Sequence, residues 1–163
     1  TTEQMMDEMA ATLGGRAAEE IINGKISTGA LSDLEKVTKQ SYAMVTYYGM
    51  SEKVGHLSYY DSTGGNGYSF DKPYSQKTAE LIDKEAKQFI DQAHEKALEV
   101  LRNNMEGFTQ LAELLLEREV IFSEDLEKIF GPRAPKDGAE PAEETPSVTE
   151  ALPEAKPEET VNA

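Results

Sequence analysis

No cysteine occurs in this chain, which excludes disulfides and thiolate metal ligands and fits a reducing compartment. Histidine is almost as scarce. His56 and His94 are the only two, and neither has a second histidine three or four positions away on a helix face, so histidines alone cannot build a zinc site here. Both are read as residues without catalytic duty, His94 facing solvent on a helix and His56 in a strand or loop. Basic side chains are few: 16 against 31 acids give a formal charge of −15, which opposes capture by nucleic acid or by anionic lipid. No apolar run approaches the ~18 residues of a spanning helix, and no basic-then-apolar leader opens the chain. The segment is therefore expected to be soluble. It opens on Thr1 and not on methionine, which predicts a processed product or a piece of something longer.

Several catalytic signatures are missing as well. There is no phosphate-cradling GxxxxGK[ST], and the glycines of STGGNGYS, residues 62–69, lack the strand-to-helix setting of a dinucleotide loop. No GxSxG serine or cysteine offers an activated nucleophile, and the serines fall at expected caps and turns.

What is present suffices for one ordinary domain with a hydrophobic core. The last 32 residues hold six of the seven prolines, eight acids, three bases and no aromatic residue. Such a composition cannot bury enough apolar surface to offset its ordering entropy, so residues 132–163 read as a disordered acidic tail. Ahead of it, helical spacing dominates. Met5, Met9, Leu13, Ala17 and Ile21 predict a helix over about 2–23, stopped by Gly24, with the methionines as core filler. Leu34, Val37, Ser41, Met44, Val45 and Tyr48 predict a second over about 30–48, up to Gly49. From Met50 to Pro73, VGHLSYYD and the turn formers after it suggest a small hairpin or an exposed loop. Ser75 then caps a long helix to about Asn103, whose inward face is Ile82, Ala86, Phe89, Ala93, Ala97 and Leu101. Met105, Phe108, Leu111, Ala112 and Leu115 form a further stripe, and Ser123 caps a last short helix ended by Gly131 and Pro132. The expected fold class is mainly α: a helical bundle with one small β-hairpin or loop insertion.

Two stretches resist a purely structural reading. Gly14-Gly15 lies within a helical pattern, at a cost of about 1 kcal/mol per glycine relative to alanine, so either something approaches closely there or the helix is interrupted. In STGALSDLEKVT, residues 27–38, Asp33 sits at a helix opening. Ser32 and Glu35 could form a capping box around it, with Thr28 as a rival cap one turn earlier.

LGGRAAEEIINGKISTGALSDLEKVT, MVTYYGMSEKVG and YSQKTAELIDKEAKQFIDQAHEKALEVL, taken in order, resemble the proteolytic domain of the FtsH family. These are membrane-anchored zinc metalloproteases that join an AAA+ ATPase module to a helical peptidase domain. The resemblance spans about residues 1–131 and implies the C-terminal portion of that domain. In the family, two histidines of an HExxH helix and a downstream aspartate hold one zinc, and the HExxH glutamate activates water. The aspartate lies in a TGAxxDL motif, here Thr28 to Leu34, so the resemblance makes Asp33 the third zinc ligand, a donor set that leaves a fourth position open. It also offers Glu19, the first acid of GGRAAEE, as an acceptor for a liganding histidine. An ordinary surface acid or a partner for Arg16 is the other reading of Glu19.

HExxH and nucleotide-binding motifs are absent from these residues, so no catalytic residue is assigned within this chain, which by itself is expected not to cut peptides. For the intact protein the resemblance implies a homo-hexamer that uses ATP and Mg in its ATPase module. It would degrade unfolded membrane and soluble proteins in quality control. The expected location is the cytoplasmic face of a bacterial inner membrane, or an organellar membrane, reached only through N-terminal segments not in this sequence. A non-catalytic scaffold or regulatory module of a hexamer is the alternative.

Deleting residues 132–163 is expected to leave the melting temperature and, in the intact protein, peptide cleavage unchanged, because the tail has no core contribution to lose. Circular dichroism melting and a peptidase assay check this.

Overall fold

The computed structural model describes residues 1–59 and 73–133. They form six α-helices and one 3₁₀ turn: α1 (Thr2–Thr12), α2 (Gly14–Asn23), the 3₁₀ turn (Thr28–Ala30), α3 (Leu31–Thr46), α4 (Gln76–Asn103), α5 (Met105–Arg118) and α6 (Ser123–Phe130). No strand occurs among the described residues, and the mainly α expectation holds. The first part of the predicted insertion is a loop. Gly55 adopts φ +85° and the Tyr59 N–H donates back to the Thr46 carbonyl at 2.7 Å, which folds the segment onto the end of α3. Residues 60–72, with the glycine-rich stretch, lie outside the described residues, as does the predicted tail from residue 134 onward.

The single helix expected over 2–23 is two. Leu13 closes α1 and opens α2 with φ −80° and ψ −2°, and its side chain is buried. A Cβ placed on Gly14 or Gly15 would meet nothing within 4 Å. The glycine pair therefore marks an interruption, and no close approach within this chain requires it.

α4 is the axis of the bundle, with α1, α2 and α3 packed along it. Ser75 caps it as predicted, its hydroxyl accepting from the Thr78 N–H at 3.2 Å. Ile82, Ala86, Ala93 and Ala97 of the predicted inward face are buried, while Phe89 and Leu101 are half-buried. Met9, Leu13, Val37, Met44 and Ala93 form the central cluster, with Met5, Met6 and Phe89 against it. The methionines are core filler, as their spacing implied. Ser41, fully buried, donates from Oγ to the Ala86 carbonyl at 2.7 Å, and Tyr42 Oη donates to Asp83 at 2.7 Å, so α3 is bonded to α4 as well as packed on it.

Three expectations need correction. His94 does not simply face solvent: its Nε2 lies 3.2 Å from Glu20 Oε2, because α2 crosses α4 at that level. The stripe on α5 is not a core face, since no α5 residue is buried. α5 packs on α6 and the end of α4, with Gly107 so close to α6 that a methyl there would sit 2.5 Å from Phe130 Cε1. Ser123 is the first helical residue of α6 and not its cap. There the buried Asp125 carboxylate accepts from the Phe122 N–H at 3.2 Å and from Arg118 at 3.3 Å, a side-chain brace that satisfies one of the open N–H groups at a helix start.

Glu85 is a buried acid that periodicity passes over. It accepts from Ser51 Oγ at 2.9 Å and from Lys53 Nζ at 2.6 Å, fastening the loop after α3 to α4. The bond from Lys53 is the main cause holding its carboxyl below the ordinary glutamate value of 4.5, with Ser51 adding to it against the effect of burial. A depressed acid stabilises the fold above its unfolded-state value and loses that contribution as pH falls through the lower native value. Glu85→Gln is expected to cost about 1 kcal/mol at pH 7, since a charge-assisted bond becomes a neutral one beside a half-exposed lysine. The gap from the unsubstituted chain should close below pH 4.5, read by urea unfolding at several pH values.

Candidate metal centre

Helix α2 sets up the approach to Asp33. Arg16, Glu19 and Glu20 fall three and four residues apart, so they share one side of α2. The helix stops at Gly24, which takes a left-handed φ of +60° and donates its N–H to the Glu20 carbonyl at 3.0 Å, a conformation glycine adopts without strain. Lys25 and Ile26 lead to Ser27, which is extended, with φ −106° and ψ 177°. Its Oγ accepts from the Gly29 N–H at 3.2 Å and so caps the 3₁₀ turn. α3 follows without a side-chain cap of its own.

The capping box expected from Ser32 and Glu35 is not formed. Glu35 instead accepts from Lys39 at 2.5 Å, a contact that lowers its pKa. Neither Ser32 nor Thr28 is the cap. The 3₁₀ turn starts the helical path at Thr28, about two residues ahead of where periodicity places it, and Ser27 is the residue that meets the free N–H.

Asp33 lies on the first turn of α3, half-exposed. No hydrogen bond or ion pair to another described residue engages its carboxylate. Exposed apolar side chains flank Asp33 in sequence, Ile26 in the linker and Leu31 and Leu34 at the start of α3, with Leu31 75% exposed. Among the described residues no three histidine, cysteine or acidic side chains converge to hold a metal. His94 is engaged by Glu20, and His56 is exposed in the loop after Gly55. An open anionic oxygen suits zinc as one ligand of a mixed nitrogen and oxygen set, and the remaining donors would have to come from beyond these residues.

Glu19 has a definite employment. Its Oε1 accepts from Ser27 Oγ at 2.6 Å and its Oε2 from the Ser27 N–H at 3.2 Å. Arg16 Nη1 donates to the Ser27 carbonyl at 2.6 Å. The Ser27 hydroxyl first and its N–H second hold the Glu19 carboxyl below the usual glutamate value against the effect of desolvation, with the Arg16 charge adding least. Ser27 is the residue that sequence reasoning missed. Its only signal is its place immediately ahead of the Thr28-Gly29 pair.

Residues 1–129 match peptidase family M41. The ATP-dependent zinc metalloprotease FtsH of Parabacteroides distasonis is 60% identical over 134 residues, covering 82% of this chain and 19% of the relative. The mitochondrial ATP-dependent zinc metalloprotease FTSH 3 of Oryza sativa is 50% identical over 133 residues, 82% of this chain and 16% of that protein. The mouse mitochondrial inner membrane m-AAA protease component AFG3L2 is 42% identical over the same length and shares. The chain thus spans less than a fifth of the length of these relatives.

Because the Glu19 carboxyl is depressed, its grip on Ser27 should persist above pH 4.5 and release as pH falls through a lower native value. The Ser27 amide resonance is expected to titrate with a midpoint below 4.5, and Glu19→Gln should abolish that titration, as followed by NMR.

Proposed function

The chain belongs to peptidase family M41, and from that premise we propose that residues 1–131 are the C-terminal part of a zinc metallopeptidase domain in which Asp33 is one of the metal ligands. The observation that carries this reading is the Asp33 carboxylate: on the first turn of α3, half-exposed, and without a partner among the described residues. A structural acid in so well bonded a neighbourhood would be expected to have found a donor. This one is left open.

When bound, zinc supplies Lewis-acid activation of water and of the scissile carbonyl. The chain's own residues do the rest of what can be read here. Asp33 contributes a carboxylate oxygen from the first turn of α3. The exposed Leu31 and Leu34 at the start of α3 offer an apolar seat for the element that brings the remaining ligands. In this reading the two histidines, the general-base glutamate and the ATPase with its ATP and Mg belong to preceding parts of the protein. The substrates are unfolded membrane or soluble proteins, the assembly is a homo-hexamer, and the protein sits at the cytoplasmic face of a bacterial inner membrane. No helix of the described residues is long and apolar enough to cross a membrane, so anchoring falls to other segments. Residues 132–163 serve as a solvated acidic tail.

The test compares this chain with the intact protein. Only the intact protein is expected to hold about one zinc per chain and to cut an unfolded substrate. Asp33→Asn in it should lower zinc affinity by at least about 100-fold and stop proteolysis while ATP hydrolysis continues. Zinc retained at wild-type level by that variant removes the ligand assignment, and an intact protein without zinc makes the chain a scaffold or regulatory module.

A further inference from the structure

Ser27 lies on an exposed linker, where a serine would ordinarily be satisfied by water. Here each of its polar groups is taken by protein. The N–H donates to Glu19 Oε2 at 3.2 Å, the hydroxyl donates to Glu19 Oε1 at 2.6 Å, and the carbonyl accepts from Arg16 Nη1 at 2.6 Å. The hydroxyl oxygen also accepts from the Gly29 N–H at 3.2 Å. Bonds to both backbone groups and to the side chain fix the residue in orientation as well as in place. Two of them involve a carboxylate and one a guanidinium, the stronger kind of hydrogen bond.

The holder is itself held. Ala17, between Arg16 and Glu19, is completely buried in a cluster with Ala97 and Leu98 of α4, and Glu20 meets His94 on α4 at 3.2 Å. In the other direction, Ser27 caps the 3₁₀ turn that runs directly into α3, and α3 has no side-chain cap to set its first turn independently. The Glu19, Arg16 and Ser27 bonds are the hydrogen-bonded link between α2 and the segment leading to Asp33.

The geometry points to Glu19, Arg16 and Ser27 as a positioning clamp that fixes where the first turn of α3 presents the Asp33 carboxylate to its metal. This rests on the assignment of Asp33 as a ligand. A zinc ligand must be placed to within a few tenths of an ångström, and a helix start at the end of a surface linker does not achieve that unless the linker is anchored. Glu19 then acts through Ser27, as a positioning residue, and not by accepting a hydrogen bond from a liganding histidine.

The two roles separate experimentally in the intact protein. Zinc affinity by chelator competition, kcat and KM on an unfolded substrate, and the melting temperature of the metal-free protein would be measured for Glu19→Ala, Ser27→Ala, the double variant and Ser27→Thr. The clamp predicts that each alanine variant weakens zinc about tenfold and that the double is no worse than either single, as expected of residues acting as a unit. Ser27→Thr, which keeps the hydroxyl, should bind zinc nearly normally. kcat should fall more than KM rises, with the metal-free melting temperature unchanged, since the clamp lies at the surface. Normal zinc affinity in Ser27→Ala overturns the clamp, whether or not Glu19→Ala is impaired. A fall in metal-free melting temperature that accounts for the zinc loss also overturns it, making the bonds merely structural. Asp33→Asn in the same assay identifies the remaining case: if that variant keeps its zinc, the ligand assignment fails and the clamp has nothing to position.

Discussion

The burial of one face of α4 is the constraint on which the other elements depend. At 28 residues this helix extends about 42 Å at 1.5 Å per residue, and α1, α2 and α3 each lie against it. Ala86, Ala93 and Ala97 are small enough to let neighbouring backbones come close. One consequence is the bond from buried Ser41 to the Ala86 carbonyl, which requires helices near contact distance. Each fully buried large side chain contributes about 1.5–3 kcal/mol relative to exposure, and Met9, Leu13, Val37 and Met44 owe their burial to this arrangement.

A second layer of organisation is polar and works at the ends of helices, where the bundle is least constrained by packing. Glu85 fastens the loop after α3 through Ser51 and Lys53, Asp125 braces the start of α6, and Glu19 with Arg16 holds Ser27 ahead of α3. Asp125 and Glu19 each meet a backbone N–H just ahead of a helical segment, where donors are left open, and Glu85 meets a hydroxyl and an ammonium in the loop after α3. These contacts stabilise weakly compared with the core, but they determine direction. Asp33 differs from all three in having no such partner among the described residues.

The apolar surface left open also has a pattern. Ile26 in the linker and Leu31 and Leu34 at the start of α3 are exposed, as are Leu115 and Leu116 on α5, Phe122 just ahead of α6, and Leu126 and Phe130 on α6. Such faces are surfaces on which a further element can pack.

Helix existence and facing were legible because they follow from local rules: the spacing of Ile82, Ala86, Ala93 and Ala97 can bury only one side of a helix, and Ser75 and Gly24 act on the few residues next to them. TGALSDL and GGRAAEE were equally legible as a family resemblance, since order and spacing along the chain carry it. Other features were settled only when distant residues met. The break at Leu13, the pairing of His94 with Glu20, the burial of Glu85 and the choice of Ser27 as cap depend on which groups the folded chain brings within about 3 Å, and hydrogen bonds decay too steeply with distance and angle to be inferred from composition. The sequence by itself determined a mainly α bundle and the candidacy of Asp33 and Glu19. Only the tertiary structure decided that Glu19 grips Ser27 while Asp33 stays open, because a carboxylate's partner is set by where two separate segments cross.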